Sequence, residues 1–335
     1  GFYRMKLMLV GKQDRGKTTL VARLQGRDCG NESTVGVDVS EWEYRPALGK
    51  RPFSFSIWDF GGQEEYYATH QCFLSERSLY LLLFNLKDGS AGVNELIPWL
   101  ENIALRAPKS CVFIVGTHLD EISAKDREHV YTLLKHAGDM ASKFSSKLQI
   151  KEVLGVGLKK QLENVNSLRE SIYNCAAQYE VEKELVMGHM VPASYHILDK
   201  HIQDLQKEVK NGTREPIMHR EEYKNLFHQL NLTDIQEDDE LKAATLFLNN
   251  VGTLLHYDDR SHNLDELYFI DPRWLCDLMA KIVTIRERNP YITDGILNTK
   301  NLSFILRDER FPLKYFEQYL TLLDRFEIAL ALDSR

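Results

Sequence analysis

Gly11-Lys12-Gln13-Asp14-Arg15-Gly16-Lys17-Thr18-Thr19 fits G-x-x-x-x-G-K-[ST], and no other stretch of the chain constrains its fold as tightly. This loop works only where a strand delivers it and a helix leaves it. Met5 to Val10 is an apolar run that reads as a buried strand, and Leu20 to Leu24 reads as a helix. Backbone N–H groups of the loop and of the helix N-terminus then converge on an anion. The motif places Gly11, Asp14, Arg15, Gly16, Lys17, Thr18 and Thr19 around phosphates. Lys17 supplies a point charge to the outer phosphates, and the Thr18 hydroxyl ligates Mg²⁺.

Two further segments choose the base. Phe53 to Ile57 alternates apolar and polar residues, as a strand with one buried face does, and leads into Asp59-Phe60-Gly61-Gly62, a D-x-x-G. An Asp at this place holds Mg²⁺ through water, and the Gly62 amide reaches the γ-phosphate. Cys111 to Gly116 is another apolar strand, delivering Thr117-His118-Leu119-Asp120. Small GTPases carry Asn/Thr-Lys-x-Asp here. The carboxylate accepts from guanine N1–H and the exocyclic amine, a donor pair that adenine lacks. The motif therefore argues for GTP over ATP. His118 replaces the usual Lys, and an imidazole stacks on a base face as a Lys stem would. In the loop Asn31 to Asp38, a Thr hydroxyl fits on Mg²⁺ with its amide on the γ-phosphate. Thr34 is the choice and Ser33 the alternative. Metal ligation is thus assigned to Thr18, Thr34 and, through water, Asp59. These parts lie in order at the ends of successive strands, where ligands of open α/β sheets sit.

Composition excludes more than it selects. A chain of 335 residues suggests two domains, and a net charge of −7 offers no footprint for nucleic acid or an anionic membrane. Cys29, Cys72, Cys111, Cys175 and Cys276 are scattered, which reads as a reducing compartment without a zinc site. No apolar run is long enough to span a bilayer, and Leu332-Asp333-Ser334-Arg335 is not a prenylation box.

Gln63 to Leu74, Arg77 to Leu81, Pro98 to Ile103 and Gly116 to Asp120 together resemble the Roc (Ras of complex proteins) domain of the Roco family. Phe247 to Tyr257 and Leu267 to Leu275 resemble the COR segment that follows it. Within that family the chain most resembles the animal leucine-rich-repeat kinases. The resemblance implies a Ras-like α/β domain with a six-stranded, mostly parallel sheet, followed by a smaller winged-helix-like α+β domain. It implies Roc over 1–180, a linker over 181–190 and the N-terminal part of COR over 191–335. It also implies GTP/GDP and Mg²⁺ as ligands, and the chain's own COR region and a Ser/Thr kinase domain as partners. A homodimer and membrane association through partners stay open, with a cytoplasmic location expected. The start at Gly1 and the stop soon after Phe326 to Leu330 read as the ends of an excised piece.

Strand-like runs at 5–10, 53–58, 79–86 and 111–116 alternate with helical stretches at 17–25, 94–107, 124–143 and 165–180, the pattern of a parallel sheet wrapped by helices. Glu41 to Arg45 is expected to pair antiparallel beside 53–58, and 148–154 to form a sixth strand. Glu180 to Leu185 is charged and reads as helix-favouring, broken by Met190-Val191-Pro192. Helices follow over Ser194 to Val209, Arg220 to Leu230 and Asp238 to Asn249, then a small hairpin of Gly252 to Tyr257 with Leu267 to Ile270, and a helix from Pro272 to Val283. Three helices with a wing often bind DNA, but Glu237-Asp238-Asp239-Glu240 would repel phosphate, so the reading is protein docking.

Gln63 follows D-x-x-G, where a Gln orients the attacking water. Gln13 and Asp14 stand where side chains crowd an arriving arginine finger, so slow intrinsic hydrolysis is expected, with a nucleotide-stabilised scaffold as the alternative. The guanine-contacting Ser-Ala-Lys that usually follows the sixth strand is eroded to Gly155-Val156-Gly157-Leu158-Lys159-Lys160. Arg106 resembles the family's Arg at the Roc–COR contact; a helix-terminal Arg that favours the dipole explains it equally well.

Overall fold

The computed structural model describes residues 1–335 except 29, 31–33, 35, 63–66, 236–237, 284–289, 307–309, 331 and 333–335, and the side chains of 68 and 283. The chain divides into two compact units, Gly1–Glu64 with Leu74–Met190, and Glu65–Phe73 with Val191–Arg335.

The first unit is built on strands β1 (Arg4–Val10), β2 (Val37–Tyr44), β3 (Phe53–Phe60), β4 (Ser78–Asn85), β5 (Cys111–Thr117) and β6 (Gln149–Gly155). Their order is β2-β3-β1-β4-β5-β6, with only the β2–β3 pair antiparallel. The central strands are buried on both faces, which is why they read as continuous apolar runs, while β2 and β6 alternate at the edges. Helices α1 (Lys17–Leu24), α2 (Tyr67–His70), α3 (Gly89–Asn94), α4 (Leu96–Arg106), α5 (Arg127–Ser142) and α6 (Val165–Gln178) connect them, although α2 groups with the second unit. On one face of the sheet Leu7, Leu9, Ile57, Leu81 and Val115 meet Leu20 and Leu24 of α1 and Leu168 and Ile172 of α6 in one core. Pro98 lies in the first turn of α4, where its missing N–H costs no helical bond.

One expectation is corrected here. Glu180 to Leu185 is not helical but a hairpin of β7 (Glu180–Val181) and β8 (Glu184–Leu185). Its two turn residues, Glu182 and Lys183, have φ of 54° and 69°, the geometry of a tight turn that matches strand twist. Val186 and Met187 just beyond it are buried in the core, and the Val186 N–H donates to the Tyr179 carbonyl at 2.9 Å. Burial of those two side chains outweighs the helix propensity of Glu and Lys, which is worth only tenths of a kcal/mol per residue.

In the second unit, α7 (Ala193–Lys210) packs with α9 (Asp238–Val251), and α8 (Arg220–Gln229) lies between them in sequence. Strands β9 (Ile217–His219), β10 (Leu255–His256) and β11 (Leu267–Phe269) form an antiparallel sheet in the order β10-β11-β9. The expected two-stranded hairpin thus gains a third strand, too short at three residues for its periodicity to register. Helix α10 (Pro272–Val283) packs against α2, and Phe73 lies 6.4 Å from Phe326 between ring centres. Asp238, Asp239 and Glu240 form the first turn of α9, where Asp238 is 3.0 Å from Lys224 and the helix dipole favours negative charge; Glu237 lies outside the described residues. Among the described residues no helix is long and apolar enough to cross a membrane.

Candidate functional site

The carboxyl ends of β1, β3 and β5 deliver their loops to a cavity of about 260 Å³. Gln13 to Thr19, Thr34, Phe60 to Gly62, Thr117, His118, Asp120, Glu121, Leu158 and Lys159 line it. Gly11 stands just outside this lining, and its carbonyl accepts from Lys17. The motifs separated by many residues in sequence therefore face one space.

Lys17 is 6% exposed, and its Nζ donates to the carbonyls of Gly11 and Lys12 at 2.8 Å each. Burial lowers its pKa to about 8. A neighbouring polyanion would restore the charge that burial penalises. Beside it the Thr18 hydroxyl donates to Asp59 Oδ2 at 2.6 Å, and Thr34 donates to the same oxygen at 2.9 Å. The two hydroxyls are 2.8 Å apart. Burial pushes the Asp59 carboxyl up, opposed by the Thr18 bond and the Lys17 charge. Asp59 Oδ1 is buried with no hydrogen-bond partner among the described residues. Two hydroxyls gathered on Asp59 Oδ2, with Oδ1 left without a partner, make a set of hard oxygens that fits Mg²⁺, which prefers such ligands.

Gly62 explains why D-x-x-G closes on glycine. A Cβ there would stand 2.3 Å from Gln13 N, so only hydrogen lets this strand end approach the phosphate loop. Gly62→Ala is expected to push the two loops apart and weaken GTP binding more than GDP binding, by about tenfold, measured by titration with each nucleotide.

Arg15 lines the cavity, but its guanidinium is engaged elsewhere. Nε and Nη2 each donate to a Glu95 carboxylate oxygen at 2.8 Å, and Asp88 lies at 3.1 Å. Burial pushes the Glu95 carboxyl up, but the bonds and charge of Arg15 outweigh it and hold it below the usual range. Glu95→Gln should cost about 1 kcal/mol of stability at neutral pH after solvent screening. Because the folded carboxyl is depressed, that contribution is present above the unfolded value near 4.5 and lost as pH falls through the folded one. Thermal unfolding of both proteins at pH 7 and pH 4 measures it. Sequence reasoning missed Glu95 and Asp88, which no motif spacing ties to Arg15.

At the other end, Thr117 Oγ1 lies 2.9 Å from the Arg15 carbonyl and 3.1 Å from that of Phe84, tying the two loops together. His118 adopts φ 64°, with Nδ1 2.9 Å from Thr117 Oγ1, and burial lowers its pKa. Asp120 Oδ2 accepts from the amides of Lys159, Lys160 and Gln161 at 2.9, 2.6 and 3.4 Å, and Oδ1 from Leu158 at 3.2 Å. Burial pushes this carboxyl up, but the amides of Lys159, Lys160 and Leu158 win and hold it low. The loop after β6 thus contributes through backbone donors. Gly157 permits it, since a Cβ there would meet Gln161 O at 2.5 Å.

Gln63 and Ser33 lie outside the described residues. Arg106 is the last residue of α4 and is exposed.

Residues 6–120 match the family model described as Ras of Complex, Roc, domain of DAPkinase, and residues 192–335 match C-terminal of Roc, COR-A domain. Leucine-rich repeat serine/threonine-protein kinase 1 of Mus musculus is 32% identical over 97% of this chain and 17% of its own length. Probable serine/threonine-protein kinase pats1 of Dictyostelium discoideum is 30% identical over 98% of this chain and 10% of its own length. The chain therefore spans less than a fifth of these relatives. The solved structure of Methanosarcina barkeri Roco2 RocCORdC bound to GDP shares the fold, with a TM-score of 0.75 at 23% identity, over 99% of this chain and 93% of that one.

Proposed function

The chain belongs to the Roco family, joining a Roc domain to a COR-A domain, and from that premise we propose that it binds GTP, hydrolyses it slowly and passes its nucleotide state to the attached COR region. We take 1–180 as Roc and 191–335 as the N-terminal part of COR; the 181–190 segment, expected as a linker, folds onto the first unit through Val186 and Met187. In the parent chain the COR region would act on a Ser/Thr kinase domain, as the names of the relatives suggest. One observation carries the reading: the oxygens of Thr18, Thr34 and Asp59 gather beside Lys17 in the cavity whose far end is Asp120.

In this reading Lys17 and the amides of 13–18 hold the phosphates, and Asp120 reads guanine. Thr18 and Thr34 directly, and Asp59 through water, would hold Mg²⁺. When bound, that ion neutralises charge on the β- and γ-phosphates. Gln63 orients the attacking water. The Glu65–Phe73 stretch directly after D-x-x-G groups with the second unit, so a nucleotide-dependent change in it acts on that unit. Arg106 is assigned to the Roc–COR contact by family resemblance.

The scaffold alternative draws support from Gln13 and Asp14, which line the cavity where an incoming arginine would stand. Single-turnover phosphate release decides. The wild-type chain should release phosphate slowly, and Gln63→Leu at least about tenfold more slowly with unchanged nucleotide affinity, the pattern of an interaction made in the transition state. Release by the wild type no faster than from GTP alone would establish the scaffold instead.

A further inference from the structure

The loop that grips Asp120 runs from Val156 to Asn164, between the end of β6 and the start of α6. Lys159, Lys160, Gln161 and Leu162 are all exposed, so packing of their side chains does not hold its shape. Yet the amides of Lys159, Lys160 and Gln161 converge on one oxygen of the Asp120 carboxylate. A stretch fixed only there would lose that convergence to chain entropy.

The loop is held at both ends. At the first, Leu158 is buried in the core, and its carbonyl accepts from Arg23 Nε at 2.9 Å. At the second, Glu163 and Gly157 exchange backbone hydrogen bonds of 3.1 Å each. The Glu163 carboxylate then meets Arg127 at the start of α5. Nη1 donates to Oε2 and Nη2 to Oε1, both at 2.8 Å. Two parallel bonds from one planar fork fix direction as well as distance. The packing leaves little play. A Cβ on Gly157 would stand 2.9 Å from Asp120 Cβ and 3.2 Å from Glu163 Cβ, so a shift of Glu163 is felt at Asp120.

We propose, resting on the guanine reading of the cavity, that Arg127 and Glu163 are positioning residues for base recognition: their ion pair stakes the 157–163 loop to α5 and so aims the Asp120 carboxylate at guanine. Neither side chain lines the cavity, so the effect reaches the base through the loop amides. Without the pair the loop loosens, and the carboxylate loses its aim at N1–H and the 2-amino group together. Hypoxanthine keeps N1–H and lacks the 2-amino group, so it depends less on that aim.

The test is competition of GDP and of inosine diphosphate against a fluorescent GDP analogue in Mg²⁺. It is run on the full chain as wild type, Glu163→Gln, Arg127→Met and the double variant. Both side chains are partly exposed, so each variant should fold. Wild type should prefer GDP. Each single variant should lose about fivefold in GDP affinity, the size a well-formed exposed pair reaches, and less than about twofold for inosine diphosphate. The double variant should lose no more than either single one, because all three remove the same pair. Equal losses for both nucleotides would mark a merely structural pair and overturn the proposal. So would losses that add in the double variant. A wild type that prefers GDP, beside variants whose preference is unchanged, removes this proposal alone. A wild type with no preference for GDP removes the base reading, and the proposal with it.

Discussion

Lys17→Ala abolishes nucleotide binding: affinity for GDP and GTP falls together, by at least about a hundredfold, or ~3 kcal/mol. The size follows from burial. The ammonium is 6% exposed and already desolvated, held between the carbonyls of Gly11 and Lys12. A phosphate entering the cavity meets a cation that water does not screen, and the alanine leaves that phosphate unpaired. Thr18→Asn is the informative companion. It removes a hydroxyl that bonds Asp59 at 2.6 Å and contacts Thr34, so GTP·Mg²⁺ should suffer more than GDP. Isothermal titration of the three proteins with both nucleotides measures this. Equal GDP affinity of wild type and Lys17→Ala would sink the phosphate-loop assignment.

Asp120→Asn exchanges the base the cavity accepts. The amide oxygen still accepts from N1–H, which both bases carry, but the amide NH₂ opposes the guanine 2-amino group from which the carboxylate accepted, and donates to the xanthine oxygen in its place. A site built to hydrogen-bond a group rejects an analogue lacking it strongly, so GDP should weaken by about a hundredfold and xanthosine diphosphate should gain. The four amides of 158–161 already crowd the Asp120 carboxylate, three of them on Oδ2. Guanine must share these oxygens or displace an amide. Competition titration with guanosine and xanthosine diphosphates reads the exchange directly; unchanged preference would remove Asp120 from base recognition.

The phosphate loop, D-x-x-G and Thr117 to Asp120 were legible because each is contiguous: neighbouring residues must present groups at fixed spacing on one strand end. Gly62 is legible for the same reason, since a Cβ there would stand 2.3 Å from Gln13 N and only hydrogen fits. The Arg15–Glu95 clamp was not, because its partners meet through the fold and no spacing announces them. The loop on Asp120 was read as eroded because its donors are backbone amides, which leave no side-chain signature beyond Gly157. In the fold, the long buried strands and the amphipathic helices declared themselves. The 180–185 hairpin did not, because its conformation is set by the burial of Val186 and Met187 rather than by its own charged residues. Strand β9 escaped because three residues hold no period.

The central claim is that this chain is a guanine-nucleotide switch, and one competition titration bears on it most directly. The purified chain, loaded with a fluorescent GDP analogue in Mg²⁺, is challenged with unlabelled GTP and with ATP. The account predicts displacement by GTP and none by ATP at a thousandfold excess, about 4 kcal/mol of discrimination. Displacement by ATP at concentrations matching GTP would contradict it.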